Sequence, residues 1–319
     1  MRCLPPGTLA AGCTWYTQGN SSIARNKITS IAIVDTYDTT GKNIVDQWDA
    51  STESTGSSDN EGTITAYVED DGTGDGTYKL TLAGNGTGKI MANKNSESAF
   101  GAVWKSDTYA NAWSDVRYRE DDFSGFWSVA DATGFDLLDT SNVTNMGFMF
   151  SNFGAHKQYP WIDAGLTLDV STFNVSKVTN MEGMFARFSW DHISLFAVPE
   201  STPVTDIGGM FFATYLKDLD LSEFHMRELS APTSNWACFG DGSYHMQTIV
   251  LNGTFGTNSS TMVTFNREDV NSNCYVQPLN WDANTTVYGA QGLMVLSDEE
   301  NDGTHTPWIR HIVTYMDTP

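Results

Sequence analysis

One short pattern constrains the fold of this chain more than any other feature of its sequence. Valine, threonine, an asparagine or aspartate and three further apolar residues recur at fixed spacing in three copies, 143–150, 178–185 and 204–211. The apolar positions fall at i, i+3, i+6 and i+7, which predicts a short helix with one apolar face. Since a single copy cannot bury such a face, successive copies have to stack on one another.

A strand-like segment precedes the helical one in the clearest copies. Apolar residues alternate there with polar ones, over 168–173 and 219–224, so each repeat is predicted to be a strand, a turn and a short helix. The copies start at Val143, Val178, Val204 and, less clearly, Leu229. The shorter steps, 26 and 25 residues, lie within the leucine-rich-repeat range of about 20 to 29 residues.

The rest of the sequence places a β-rich region before the repeats and a cap after them. Runs at 28–34, 62–68 and 77–83 are rich in β-branched residues and bounded by Gly, Ser and Asp, and the last two predict a hairpin. The predicted fold class is α+β. Its three parts are a β-rich N-terminal domain (1–95), a leucine-rich-repeat-like solenoid with aromatic insertions (96–265) and a C-terminal capping segment (266–319).

The repeats resemble a known family. The stretch 168–185, LDVSTFNVSKVTNMEGMF, is similar to the bacterial surface-protein repeat of about 26 residues. That repeat is like the leucine-rich repeats of adhesins and is also found in prophage and phage structural proteins. The resemblance covers roughly 135–230 and departs from the pattern at Pro232 and Asn235. It implies surface binding without known chemistry.

The charge of the chain argues against several partners. Seventeen Lys and Arg oppose 39 Asp and Glu, a net charge of -22, which repels nucleic acid and anionic membranes. No apolar stretch reaches the ~18 residues of a membrane-spanning helix. We therefore expect no nucleic-acid partner and no membrane insertion.

The sequence carries no motif for chemistry. It lacks H-E-x-x-H, G-x-S-x-G, P-loop and C-x-x-C patterns, and the repeat methionines have the spacing of core residues rather than of copper ligands. We therefore expect a protein that is not an enzyme, with no catalytic residue, metal or cofactor. Carboxylates at Glu120 and Asp122 near Trp127 leave a carbohydrate-active enzyme with an acidic cleft as an alternative.

Two further points stay open: a weak calcium site at the acidic loops 71–76 and 298–303, and a disulfide between Cys3 and Cys13.

The irregular aromatic segments are the candidates for a binding surface. Tyr159 and Trp161 interrupt the array after its first copy, and Trp190 follows the second, so stacking would bring them to one edge. Trp113 and Trp127, before the array, are further candidates. Tryptophan and tyrosine combine a large contact area with a polar tip, as binding hot spots do. The alternative is that these rings pack inward.

These observations predict a non-enzymatic surface binding or structural protein. A starting Met, with no signal peptide and no anchor, favours a phage virion component (tail, fibre or head decoration) at the virion surface over a bacterial cell-surface adhesin. The expected partners are a host cell-surface glycan or protein, or neighbouring virion subunits. A homo-oligomer is compatible with the sequence.

Overall fold

The structure, a computed structural model, describes residues 6–17, 19–52, 63–101, 125–154, 165–211 and 214–225, and the backbone of strands at 248–251, 286–288 and 314–316. These residues form thirteen short strands and no α-helix. The strands are β1 (Ile28–Val34), β2 (Ile44–Asp49), β3 (Thr65–Asp70), β4 (Tyr78–Ala83), β5 (Ile90–Met91), β6 (Asp131–Thr133), β7 (Leu138–Asp139), β8 (Thr167–Asp169), β9 (His192–Ser194), β10 (Asp218–Leu221), β11 (Thr248–Leu251), β12 (Thr286–Tyr288) and β13 (Thr314–Met316). Three 3-10 helices accompany them, Gly12–Trp15, Arg25–Lys27 and Phe135–Leu137.

The largest sheet is mixed and has the strand order β2-β3-β4-β1-β6. Its centre confirms the predicted hairpin, because β3 and β4 pair antiparallel with Thr65 opposite Ala83 and Asp70 opposite Tyr78. Strand β1 runs parallel to both β4 and β6. The alternation that predicted these strands places Ile28, Ile31 and Ile33 of β1 in the core. Since β6 comes from beyond residue 95, this sheet joins two distant parts of the chain.

The remaining pairs are parallel. Strand β5 pairs with β7, and β8 pairs with β9. Strands β10 to β13 form a four-stranded sheet in chain order. No helix in the part of the chain that the structure describes has the length and apolar character needed to cross a bilayer.

Four chain segments, 95–101, 145–151, 180–186 and 206–211, lie in register on one another, and we call them the turn stack. Parallel bridges connect their first residues, Asn95, Asn145, Asn180 and Asp206. Alternate amides of the second segment donate to the third: Met146 to Asn180 O, Phe148 to Glu182 O and Phe150 to Met184 O, at 2.9, 2.7 and 2.8 Å. The three sequence copies are thus joined, and 95–101 is a further copy that the repeat pattern did not reveal.

The backbone of each copy is turned rather than helical. Other amides reach back three residues, as from Met149 to Met146 O (3.2 Å) and from Ser151 to Phe148 O (3.1 Å). The fourth residue of every copy has a left-handed backbone, with φ of 56° at Ser98, 54° at Phe148, 58° at Gly183 and 57° at Gly209. A right-handed helix does not accommodate such a residue. Helix-like apolar spacing therefore arises here from consecutive turns.

The predicted α+β fold with a leucine-rich-repeat-like solenoid is therefore wrong. The described residues are β-rich, with a mixed sheet and 3-10 helices of three or four residues, and the units expected to be short helices are turns. The burial expected of the repeat is confirmed, since its apolar residues are 0% exposed: Val143, Met146, Phe150, Val178, Met181 and Phe185. The division into domains at 1–95, 96–265 and 266–319 stays a prediction.

Phenylalanines of successive copies form columns of nearly parallel rings. The longest column joins Phe100, Phe150, Phe185 and Phe211, with ring centroids 5.6, 5.7 and 5.6 Å apart and interplanar angles of 10°, 5° and 10°. Centroid separations of about 4.5 to 7 Å are those of favourable aromatic pairs. Each ring thus packs against the copies above and below it.

A buried arginine ties the N-terminal segment to the first copy of the turn stack. The Arg25 side chain is 0% exposed and donates to the carbonyl oxygens of Cys13 (2.8 Å), Tyr16 (2.6 Å) and Gly101 (3.1 Å). Its guanidinium also lies 5.1 Å from the ring centre of Phe126. Burial lowers the pKa of Arg25 to about 10, so the group stays charged at neutral pH.

Candidate binding edge

A second line of register bonds runs along one edge of the turn stack. Three amides donate to the preceding segment: Gly154 to Phe126 O (3.1 Å), Ser189 to Phe153 O (3.0 Å) and Tyr215 to Phe188 O (2.9 Å). The pattern is the same each time, so Trp127, Gly154, Ser189 and Tyr215 occupy equivalent positions in four successive segments. We call the edge formed by residues 125–129, 152–154, 187–191 and 214–217 the insertion edge.

Residues of this edge flank two irregular stretches of the sequence, which contain Trp113 and Trp161 respectively. The bond from Gly154 N to Phe126 O places Phe126, which follows the first stretch, beside Gly154, which precedes the second. Gly165, which follows the second stretch, donates its amide to Asp191 Oδ2 at 2.7 Å.

Of the predicted site residues, Trp127 lies in the insertion edge and is partly exposed. The residue is half-buried, whereas its neighbour Phe126 is 0% exposed. A Cβ at Gly125 would lie 2.8 Å from Trp127 Nε1, so the indole packs close to the backbone at Gly125. The Phe126 ring stacks on Trp15 (6.1 Å between centroids, 18°), and this contact anchors the segment that carries Trp127.

Trp190 lies beneath the edge. Its side chain is 2% exposed, its Nε1 donates to Val129 O at 3.0 Å, and its ring centre is 5.6 Å from that of Phe153. A Cβ at Gly154 would lie 2.6 Å from Trp190 Cδ1. The inward packing considered for the aromatic candidates therefore describes Trp190, which supports the edge and does not offer its ring to a ligand.

The remaining predicted site residues, Tyr159, Trp161 and Trp113, lie outside the described residues, and their role stays a prediction. The structure adds Tyr215, which the sequence reasoning missed. A signal for it was present: Gly154, Ser189 and Tyr215 are each the ninth residue after the asparagine or aspartate that starts a copy. Extending the repeat comparison beyond its last phenylalanine would have found this position.

Two ion pairs lie beside the edge. Lys217 Nζ lies 3.5 Å from Asp191 Oδ1, with side-chain exposures of 20% and 14%. His192 Nδ1 lies 2.7 Å from Asp218 Oδ1. Arg187, a further cationic residue, is half-buried within the edge itself, so the edge carries charged as well as aromatic and uncharged polar groups.

The acidic loop of the hairpin has a structural role. Hydroxyl hydrogen bonds from Thr73 and Thr77, then the Thr73 amide, lower the pKa of Asp71 from 3.8 to about 2. The same two hydroxyls lower the pKa of Asp75.

Among the residues that the structure describes, no group of three or more His, Cys, Asp or Glu side chains is arranged to hold a metal ion. The loop at 298–303 and Cys3 lie outside those residues, and Cys13 is a half-buried free thiol.

Part of the chain matches the model of one protein family. Residues 133–224 match the model of a family described as DUF285, Mycoplasma protein of unknown function. The match covers less than a third of the chain and includes three copies of the turn stack and most of the insertion edge. No curated protein and no solved structure matches the chain.

Proposed function

We propose that the chain is a non-enzymatic binding and structural protein that contacts its partner through the insertion edge. The observation that carries this proposal is the bond from Gly154 N to Phe126 O. It places Phe126 beside Gly154, and in the sequence these residues follow and precede the two irregular stretches that contain Trp113, Tyr159 and Trp161. Loops placed on a rigid scaffold are common carriers of recognition.

The polar side chains of the turn stack bond to its own backbone, as expected if the stack serves as a scaffold. The Oδ1 atoms of Asn145, Asn180 and Asp206 accept the amide two residues further on, at 2.9, 2.8 and 2.9 Å. Threonine hydroxyls in the same copies donate to carbonyls of the copy before, as from Thr179 to Thr144 O (3.1 Å). These groups hold the turns in place.

The proposed setting is an exposed surface, that of a phage virion or of a bacterial cell. The likeness of the repeats to surface-protein repeats supports this setting. The proposed partner is a host-surface glycan or protein, or a neighbouring virion subunit, and the net charge of -22 disfavours a polyanion.

Attachment assays with edge variants test the proposal. Labelled protein is incubated with intact cells of the source and its host, and with particles purified from their lysates. Trp127→Ala and Trp161→Ala are expected to weaken attachment about thirtyfold or more, the loss that corresponds to the ~2 kcal/mol of a hot-spot residue. Tyr37→Ala is the matched control, because Tyr37 is 41% exposed in the connection between β1 and β2. Unchanged attachment of both edge variants, with far-UV circular dichroism like that of the wild type, would contradict the proposal.

A further inference from the structure

We propose that residues 7–16 close the outer side of the first copy of the turn stack and keep it from pairing with a second molecule of this chain. We call these residues the N-terminal cap. The inference goes beyond the proposed function, because it concerns the end of the stack at 95–101 and not the insertion edge. It rests on hydrogen bonds that the cap forms in the register of the repeat.

Each copy after the first accepts hydrogen bonds from the copy before it. Alternate carbonyl oxygens of the second copy accept amides of the first at 2.9 Å each: Asn145 from Ser96, Gly147 from Ser98 and Met149 from Phe100. The equivalent oxygens of the first copy are those of Asn95, Glu97 and Ala99. If such a row of backbone acceptors were uncovered, it would be a template for pairing with another chain.

The N-terminal cap covers this row of acceptors. Gly12 N donates to Asn95 O and Trp15 Nε1 donates to Ala99 O, both at 2.8 Å. The Gly12 backbone also lies against the oxygen between them, since a Cβ at Gly12 would lie 2.8 Å from Glu97 O. One amide, one indole and one close backbone contact thus replace the three amides that a preceding copy would supply.

The same register continues earlier in the cap. Thr8 forms a parallel bridge with Met91, and Met91 pairs in parallel with Asp139. Leu9 N donates to Met91 O and Met91 N donates to Gly7 O, at 2.8 Å each. The cap therefore occupies the place that a preceding copy would have.

The cap ends the series of copies instead of continuing it. Two of its amides donate within the cap and are not offered to a further copy: Thr14 to Ala11 O (3.1 Å) and Tyr16 to Cys13 O (3.2 Å). The Trp15 ring lies 5.5 Å from that of Phe100, the first ring of the longest column, and is tilted from it by 57°. Arg25 fixes this turn through the oxygens of Cys13 and Tyr16. Terminal units of repeat arrays have this closing role.

A double variant of the full chain, Gly12→Ala with Trp15→Phe, tests the inference. The first change adds a methyl group against Glu97 O at a left-handed φ of 52°, and the second removes the indole donor but keeps a ring. Amide hydrogen exchange at position 12 is expected to rise about tenfold, because the cap opens more easily. In sedimentation equilibrium under reducing conditions, the mean mass of the variant should rise with concentration above that of the wild type. Gly41→Ala is the matched control, because Gly41 has a φ of 74° and nothing within 4 Å of an added Cβ.

A synthetic peptide of residues 6–26 distinguishes pairing at the row from aggregation of unfolded chains. Added in excess, it should suppress the association of the double variant, whose far-UV circular dichroism should match that of the wild type. A variant with faster exchange at position 12 and the mass of the wild type would overturn the inference. Unchanged exchange, or association that the peptide leaves intact, would also overturn it. If the double variant does not fold, Trp15→Phe alone is judged by the same outcomes.

Discussion

The hairpin of the N-terminal sheet and the turn stack hold their backbones in different ways. In the hairpin, six successive residue pairs join β3 to β4 across a short connection. In the turn stack, each copy gives only alternate amides to a copy that lies 50, 35 or 26 residues further along the chain. The hairpin is thus maintained by local pairing, whereas each of the two inner copies of the stack depends on two neighbouring copies. A defect in one copy should therefore propagate through the stack, and a defect in the hairpin loop should stay local.

The largest expected effect is at the centre of the longest aromatic column. Phe185 is 0% exposed and stacks between Phe150 and Phe211, so Phe185→Ala removes contacts to two copies at once. We expect a loss of about 3 to 5 kcal/mol in the free energy of unfolding, the range for phenylalanine truncation in a core. Urea denaturation followed by circular dichroism measures it.

Phe185→Leu is the matched control, because it keeps most of the apolar volume and should cost less. If Phe185→Ala changed the free energy of unfolding by under about 1 kcal/mol, the ring would not be a core member, and the interdependence of the copies would be contradicted.

Two glycines with left-handed backbones, one in each region, allow the turn stack and the hairpin loop to be compared directly. Gly183 in the stack and Gly74 in the hairpin loop have φ of 58° and 77°. A Cβ at Gly183 would lie 2.2 Å from Phe148 Cε1, whereas nothing lies within 4 Å of one at Gly74. Alanine costs about 1 to 2 kcal/mol at either position for the left-handed backbone, and at Gly183 it also displaces the Phe148 ring.

We therefore expect Gly183→Ala to destabilise the protein by about 1 to 3 kcal/mol more than Gly74→Ala, as overpacking does in a core. Urea denaturation of both variants side by side provides the measurement. Equal losses would mean that the stack absorbs an added methyl group as readily as an exposed loop.

The smallest expected effect is the response of the hairpin loop to acid. The folded pKa of Asp71, about 2, lies below its ordinary 3.8, so its stabilising contribution is complete above pH ~4 and is lost as the pH falls toward 2. The amide chemical shift of Thr73, whose amide donates to Asp71, should move in that window. The shifts of Met146 and Phe148 should not follow the same titration. Loop shifts that titrate near the ordinary aspartate pKa instead would contradict the hydroxyl contacts.

The same comparison shows how far the sequence could predict the fold. Period-two alternation identified β1, β3 and β4, because burial of one strand face requires it. In the repeat, apolar spacing identified the buried residues but not their backbone, since a helix and a series of turns both bury positions three residues apart. Gly183 and Gly209, inside predicted helices, were the overlooked signal for a left-handed residue.

The candidate site was only partly predictable for a related reason. A tryptophan pattern cannot distinguish Trp127, which is half-buried at the edge, from Trp190, which is 2% exposed beneath it. What separates them is their position in the register of the edge, where Trp127 is equivalent to Ser189 and Trp190 is the next residue along. That depends on the register of distant segments, which no local pattern determines.

The register is the claim on which both proposals depend, and nuclear Overhauser contacts in perdeuterated protein measure it most directly. The account predicts contacts between the amides of Gly154 and Trp127, of Ser189 and Gly154, and of Tyr215 and Ser189, together with contacts from Phe148 to the 182–183 segment. An unbroken series of sequential amide contacts through 143–150, with none to 180–186, would show a helix in place of the stacked turns and would contradict the account.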